Sequence, residues 1–578
     1  YRYRIIYNNI NAILSILWYG GSVRKLYNTM LKDYFEVPNK PAIKSGNILS
    51  CDFTDHETFI PQPLDYSRGT LATYVDCNGF IKMSGVSDTE LVTNGDFATD
   101  SNWTKEAGWT ISEGTANFSG GTGNRAMYQA VGITNGKTYK IQYEVSSISA
   151  GQVAVRFGGM SGVGEITATT IGIYTGYITA TGSANGNIHI EDNDNNFVGS
   201  IDNVSVREVD VEIPRIDYTT EIGKAKELQK PSLLLENEST NLIKFSEEFS
   251  NAAWAKSGAS VVRGFISPDG SANAYKLIGG TNNGAHFISL SKINSSVGTT
   301  LSVFAKAAEK DWIVLYSASD GGYGRYFNVK DGIKGNNFGT TPSDSIITAL
   351  SNGWYKCSIV IPNTTGVTTR IYVADGDSSS SYQGDGTSGV YIFGAQLEEG
   401  FNATSYIPTS GSTVTRNRET ARLAGQLGVF NSQEGTLYAE FASLGQMNIS
   451  AQRRMGISDN TNNNRASITI SNGNPDRVNF LYRAGGANQF VNTLPASLDI
   501  TNMNKFAFTW KQGEYRAFYN GQQHNTGNLP TVSTVSFENF GFVRNSTTDR
   551  FYARVRGVKV FRRALTFEEL TELTNNIV

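Results

Sequence analysis

The stretch 91–109, LVTNGDFATDSNWTKEAGW, is written a second time at 242–256 as LIKFSEEFSNAAWAK. Each copy has a Leu-Val or Leu-Ile pair, then Phe97 or Phe249, a short polar run, and then Trp103 with Lys105 or Trp254 with Lys256. Far downstream each copy closes on an apolar strand, GSIDNVSVREV at 199–209 and YIFGAQLEEG at 391–400. A unit this long exceeds the roughly 20–50 residues of a solenoid repeat and reads as a whole β-domain. Opening and closing strands that lie side by side would seal such a domain as a jelly-roll sandwich. Tandem sandwiches of this kind more often bind than transform.

Composition agrees. Charged residues are 17% of the chain and glycines number 60 of 578. Short strands joined by tight turns give this balance, because Gly and Asn supply the positive φ that hairpin turns need. The 39% hydrophobic and 11% aromatic content is ample for packed cores. A net charge of −3 argues against a general nucleic-acid binder. The charge is uneven: residues 1–44 carry Arg2, Arg4, Arg24, Lys25, Lys32, Lys40 and Lys44 against Asp33 and Glu36. That basic, aromatic head reads either as a docking segment or as an ordinary solvated face. Cys51, Cys77 and Cys357 form no C-x-x-C or disulfide framework, and the histidines at 56, 189, 286 and 524 form no metal or triad motif. The apolar run 12–19, AILSILWY, is shorter than the roughly 20 residues a membrane span needs. It also lacks the small-residue site of a signal peptide.

Along the chain, residues 1–45 alone have helical periodicity, with Ile13, Ile16 and Leu17 at helical spacing. Residues 46–86 read as short strands, with a hairpin around Asp76-Cys-Asn-Gly79. Residues 87–209 hold the first copy, in which MYQAVGITNGKTYKIQYEV (127–145) alternates around Asn135-Gly136. Residues 210–416 hold the second copy, and 417–578 a last β-domain. That domain ends on a helix with a capping box, Thr566 to Glu569. The fold class is therefore all-β: tandem antiparallel sandwiches with a short helical N-terminal segment.

Three stretches resemble known families. SRGTLATYVDCNGFIKM (67–83), PRIDYTTEIG (214–223), PSLLLENESTNLIKFSEEFSNAAWAK (231–256), NGWYKCSIVI (352–361) and DGTSGVYIFGAQLEEGFNATSYIPTSGSTVTR (385–416) resemble a recurrent phage tail or head-spike module. NGDF, AMYQAVGITNGKTY and IDNVSV within 91–209 resemble carbohydrate-binding jelly rolls of the xylan- and cellulose-binding type. EGTLYAEF, FAFTWKQGEYRAFYNGQ and RVRGVKVFRRALTFEEL within 431–578 resemble a laminin-G-like, concanavalin A-like sandwich. The first jelly roll interrupts the spike module, so 87–209 reads as an insertion whose two ends should lie close in space.

The jelly-roll resemblance implies a structural Ca²⁺ held near Gly95, Asp96 and Asp202. The family's Glu after Phe is Ala98 here, so these acids either hold Ca²⁺ or cap turns. The second copy offers Glu247, Glu248 and Glu398 in matching places. Sugars stack on aromatic faces because a pyranose has an apolar C–H face. Trp103 and Trp109 open the first sandwich and read as core. Tyr174 and Tyr177, three apart on a strand, must point to opposite faces, so one leaves the core. Tyr323, Tyr326 and Tyr382 sit in Gly-, Ser- and Asp-rich stretches read as loops, where function concentrates. Trp312 and Trp354 read as core. In the last domain Arg483, beside the loop 458–465, could hydrogen-bond glycan or simply be solvated.

No nucleophile elbow, Walker loop or His-Glu-x-x-His occurs, and no carboxylate pair stands out as a glycosidase pair. The expectation is a non-enzymatic virion surface protein, a phage tail fibre or head spike subunit. Residues 1–45 would dock to other virion proteins and the sandwiches would adsorb to host-surface polysaccharide. A homotrimer is implied by the family. Two alternatives stand beside it: a purely architectural decoration or tail protein, and a polysaccharide-degrading tailspike.

Overall fold

The computed structural model describes residues 47–52 and 65–575, apart from 122, 124, 161–163, 296, 319–320, 363–364, 423–429, 446–452, 472–475 and 543–550. The N-terminal helical docking segment lies outside these residues. Registered pairings between the described strands are antiparallel, and the described residues include one α-helix, Phe567–Thr574. Thr566 caps that helix and forms the capping box with Glu569.

The doubled stretch is doubled in space. In the first sandwich the entering chain lies on the closing strand Val198–Val209: Leu91 N–H donates to Val206 O, and Val204 N–H donates to Gly95 O at 2.8 Å. In the second, Leu242 N–H donates to Leu397 O and Ala395 N–H to Ser246 O, along the closing strand Gly389–Glu399. Phe97 meets Trp103 at 5.4 Å between ring centroids, and Phe249 meets Trp254 at 5.1 Å. Each indole N–H donates to a backbone carbonyl of the entering chain, Trp103 to Asn94 and Trp254 to Phe245. The repeated Phe and Trp thus pin an irregular segment into each core and satisfy the buried indole donor while doing so.

The first sandwich packs two five-stranded sheets. Ala126–Ala130 and Thr138–Ala150 belong to different sheets, so Asn135-Gly136 turns a corner between layers and closes no hairpin. Alternation along both strands is intact because each buries one face in the shared core. The two ends of this sandwich meet: Ser87 N–H donates to Glu208 O, and Asp210 N–H to Gly85 O, each at 2.9 Å. A Cβ on Gly85 would stand 1.9 Å from Asp210 O, so only glycine permits this crossing.

The second sandwich pairs a six-stranded with a seven-stranded sheet. The outer face of the six-stranded sheet is covered by the hairpin Thr73–Val75 and Ile81–Met83, whose Ile81 packs with Phe304, Trp354, Phe393 and Tyr406. The third sandwich has a five-stranded sheet and an eight-stranded one. The larger recruits distant pieces: Asn47–Asp52, Arg215–Asp217 and Ser232–Leu235 join it beside Ala553–Phe561. Leu233 and Leu235 therefore fill the C-terminal core, although they precede the second sandwich in the chain.

Segments around residues 66, 215, 236 and 419 converge at one buried ionic junction. Arg215, fully buried, grips both oxygens of Glu419 at 2.7 and 2.6 Å and one of Glu236 at 2.8 Å. Its remaining donors reach Thr73 O and Ser405 Oγ. Tyr66 and Arg68 donate to Glu419 from a third direction. Burial alone would raise both carboxyls, but the Arg215 and Arg416 charges hold them below the usual carboxylate range. A carboxyl lowered in the folded state stabilises above its unfolded value and loses that contribution as pH falls through the folded value. Removing one partner of such a set strands the other charge, at a cost of about 3–5 kcal/mol. Arg215→Met should lower the urea stability of the described body by about that much; a loss under about 1 kcal/mol would show the junction to be dispensable.

Candidate functional site

One sheet of the first sandwich runs in the order Ile166–Ala168, Val153–Phe157, Asn187–Asp192, Ala126–Ala130, Thr104–Lys105. Its inner face is apolar: Val155, Phe157, Ile188, Ile190 and Met127 are fully buried. The alternate residues must face outward, and register aligns them. Thr104 lies opposite Tyr128, Tyr128 opposite His189, and His189 opposite Arg156. Four strands thus present one row, Thr104–Tyr128–His189–Arg156.

The row is ordered by its own contacts. The Tyr128 and His189 rings stack at 5.0 Å with 17° between planes. Arg156 is bidentate to Glu191, at 2.7 and 2.6 Å. Burial alone would raise the Glu191 carboxyl, but His189 and Arg156 hold it below the usual range. His189 Nδ1 faces Glu191 at 3.6 Å, and neither ring nitrogen makes a hydrogen bond among the described residues. A Cβ on Gly158 would lie 2.4 Å from His189 Nε2, so this glycine makes room for the imidazole itself. At the Tyr128 end an open cavity of about 380 Å³ is lined by Thr93, Asn102, Thr104, Gln129 and Asn187. Gln129 fixes its wall by exchanging hydrogen bonds with Thr93 N and O. The combination of one flat ring, a guanidinium–carboxylate pair, amides and a hydroxyl suits a polyhydroxylated ligand with an apolar face.

The residues expected from sequence fall elsewhere. Tyr323 and Tyr326 lie on the strand Tyr323–Asn328, and Tyr382 on Ser381–Gln383, not on loops. Tyr326 is 3% exposed and Tyr382 9%, which removes both from contact with a sugar ring. Half-buried Tyr323 packs against the second core. Burial, with Asp375 and Asp385, pushes the Tyr382 hydroxyl up to about 12. Arg483 spends its guanidinium on Gly486 O, bracing the turn beside the loop 458–465. Trp354 is core, as expected, but Trp312 turns to the outer face of its sheet.

Tyr174 and Tyr177 do leave opposite faces of Gly172–Thr179. Tyr174 stacks on Tyr143 at 5.5 Å, with Arg263 of the second sandwich 5.5 Å over its ring. Tyr177 is raised by burial and by Glu247 and Asp269, also of the second sandwich. Both are seam residues. In that seam Glu247 accepts from Tyr406 Oη at 2.9 Å, and burial together with Asp269 lifts its carboxyl to about 7. An acid raised in the folded state keeps a proton that the unfolded chain has released, so stability falls as pH rises from about 4.5 to about 7. Glu247→Gln should flatten the melting temperature across that window; an unchanged slope would contradict this.

The expected Ca²⁺ residues do not fit a cage. Gly95 O receives Val204 N–H, and Asp96 is exposed. Asn203 donates its backbone N–H and its side-chain amide to Asp202, and the same amide to Glu144. In the second copy Glu248 accepts from Ser410, while Glu398 accepts from Ser239, Gln396 and Thr404. Among the described residues no three acidic, His or Cys side chains are grouped with ligand spacing. Chelation should leave the melting temperature unchanged; a fall of several degrees would restore Gly95, Asp96 and Asp202 as ligands.

Residues 421–571 match the Concanavalin A-like lectin/glucanases superfamily, about a quarter of the chain. Solved structures similar to the chain include the CBM40 of Ruminococcus gnavus IT-sialidase bound to α2,3-sialyllactose. That likeness is 18% identical, covers 25% of this chain and 84% of that one, and has a TM-score of 0.22. The NanB sialidase from Streptococcus pneumoniae is 16% identical, over 26% of this chain and 25% of that one, with a TM-score of 0.21. The leech intramolecular trans-sialidase is 19% identical, over 26% and 24%, with a TM-score of 0.21. No curated protein matches the chain in sequence.

Proposed function

We propose that the chain is a virion surface protein, a subunit of a phage tail fibre or head spike, that holds host-surface glycan without transforming it. The observation that carries the binding half is the Thr104–Tyr128–His189–Arg156 row beside its open cavity. The virion half is supported by the resemblance of the stretches that supply Arg68, Arg215, Glu236 and Arg416 to a phage spike module. In this reading residues 1–45 dock to other virion proteins, and the sandwiches face outward as a homotrimer. Repeating a weak sugar site on an oligomer and then on a particle multiplies avidity without new contacts. A binding rather than hydrolytic role accords with the buried carboxylates Glu236, Glu398 and Glu419, which are held by Arg, Ser, Thr and Gln donors.

Host polysaccharide binding by the full chain is the test. Tyr128→Ala and Arg156→Ala should each weaken it about tenfold, roughly 1.4 kcal/mol, with the melting temperature of Tyr128→Ala within a few degrees of the parent and that of Arg156→Ala lowered by the stranded Glu191. Undiminished binding by both variants would refute the site. Sedimentation at the mass of one chain would refute the trimer.

A further inference from the structure

The cavity at the Tyr128 end of the row is built from neighbouring strands and from the segment that enters the first sandwich. Register sets Asn187 opposite Ala130, just as it sets His189 opposite Tyr128. Side chains alternate along a strand, so Ala130 and Asn187 face outward with Tyr128 and His189. Gln129, between Tyr128 and Ala130, donates its amide to Asn102 O at 3.2 Å and so holds Asn102 beside Ala130. These spacings are short. Opposed residues on paired strands stand about 4.5–5.5 Å apart, and alternate residues of one strand about 7 Å. Tyr128, Ala130 and Asn187 therefore bound a space that a single sugar ring can reach across.

The lining holds three kinds of group. Tyr128 gives a half-buried ring, and Ala130 gives an exposed methyl beside it. The Asn187 amide and the Thr93 and Thr104 hydroxyls make no hydrogen bond among the described residues. Asn102 accepts from Ser101 Oγ at its Oδ1, at 2.9 Å, and its Nδ2 remains a donor. No side chain around the cavity is ionised at neutral pH. The ions on flanking positions are paired already, Lys105 with Asp100 and Arg156 with Glu191.

We propose that this cavity takes an N-acetylhexosamine residue, with its acetamido group over Ala130 between the Asn102 and Asn187 amides. The inference rests on the proposed function and names the class of sugar that the Tyr128 site takes. An acetamido group carries one donor, one acceptor and a methyl. Its carbonyl can accept from Asn102 Nδ2, its N–H can donate to the Asn187 amide oxygen, and its methyl meets the Ala130 methyl. A hydroxyl in the same place would set a polar group against Ala130 without a partner. A uronate would bring a carboxylate to a lining that holds no cation for it, and would lose hydration there. One buried methyl and one added hydrogen bond together favour the N-acetyl sugar over its parent hexose by about tenfold.

Saturation-transfer NMR titrations of the full chain test this, with the methyl glycosides of N-acetylglucosamine, N-acetylgalactosamine, glucose, galactose and glucuronic acid as probes. The expected result is strongest transfer at an acetyl methyl, and an N-acetyl glycoside bound about tenfold tighter than its parent hexoside. Ala130→Leu, at an exposed position, should fill the floor and weaken the N-acetyl glycoside by about fivefold or more. Asn187→Ala should bring it down toward the affinity of the parent hexoside. Hexosides that bind as tightly as their N-acetyl forms, or a preference for the glucuronide, would overturn the inference and leave the Tyr128 row a glycan site. Unchanged N-acetyl binding in Ala130→Leu would overturn it too, and that variant keeps the test valid should Asn187→Ala fail to fold. Should no probe give transfer while host polysaccharide still binds through Tyr128, the inference alone falls; should polysaccharide binding be absent as well, the proposed function falls with it.

Discussion

The Arg215–Glu419 pair is the constraint on which the rest of the described body depends. It is fully buried and bidentate, and it is completed by Glu236, Arg68, Tyr66, Ser405 and a backbone carbonyl at Thr73. Its members come from segments hundreds of residues apart, with a whole sandwich inserted between Arg68 and Arg215. Hydrophobic burial is non-directional and could bring those segments together in more than one register. A planar guanidinium between two carboxylates accepts few arrangements, and a misplaced charge in a dry interior is costly. The junction therefore acts as a registration point. Gly85, the hairpin on the second sandwich and the strands lent to the third all follow from where it places their chain.

This view also explains the wording of three short stretches. Ser-Arg at 67–68, Pro-Arg-Ile-Asp-Tyr at 214–218 and Leu-Leu-Leu-Glu at 233–236 read as unrelated strands in the sequence. In the fold their charged members meet, while their apolar members, Leu233 and Leu235, go into the C-terminal core. Asn241 of Thr-Asn-Leu closes the set: its amide donates to Ala395 O and Ile407 O, and its oxygen accepts from Ile243 and Leu397.

Local features of the sequence were legible and long-range pairings were not. The Phe-then-Trp anchors, the alternating strands and the Thr566 capping box depend on neighbours a few residues away, and each is present as expected. Strand partnership carries no such signal. Asn135-Gly136 looks the same whether it closes a hairpin or turns between sheets, and Arg215–Asp217 looks the same at either sheet's edge. The site residues were hidden for that reason. Tyr128, Arg156 and His189 each occupy an outward position on an alternating strand, which period-2 reading could flag, but only the order of strands sets them in one row. Conversely, Gly- and Ser-rich surroundings suggested loops for Tyr326 and Tyr382, and tertiary packing made them strands.

The central claim is that the inserted sandwich receives sugar on its Tyr128 face. The structure of the full chain bound to an oligosaccharide released from the host surface tests it most directly. The account predicts a sugar ring against Tyr128, with hydroxyls bonded to Asn187 and to Asn102 or Thr104 in the adjoining cavity. An oligosaccharide seated only on the C-terminal sandwich, with the Tyr128 row empty at saturation, would contradict it.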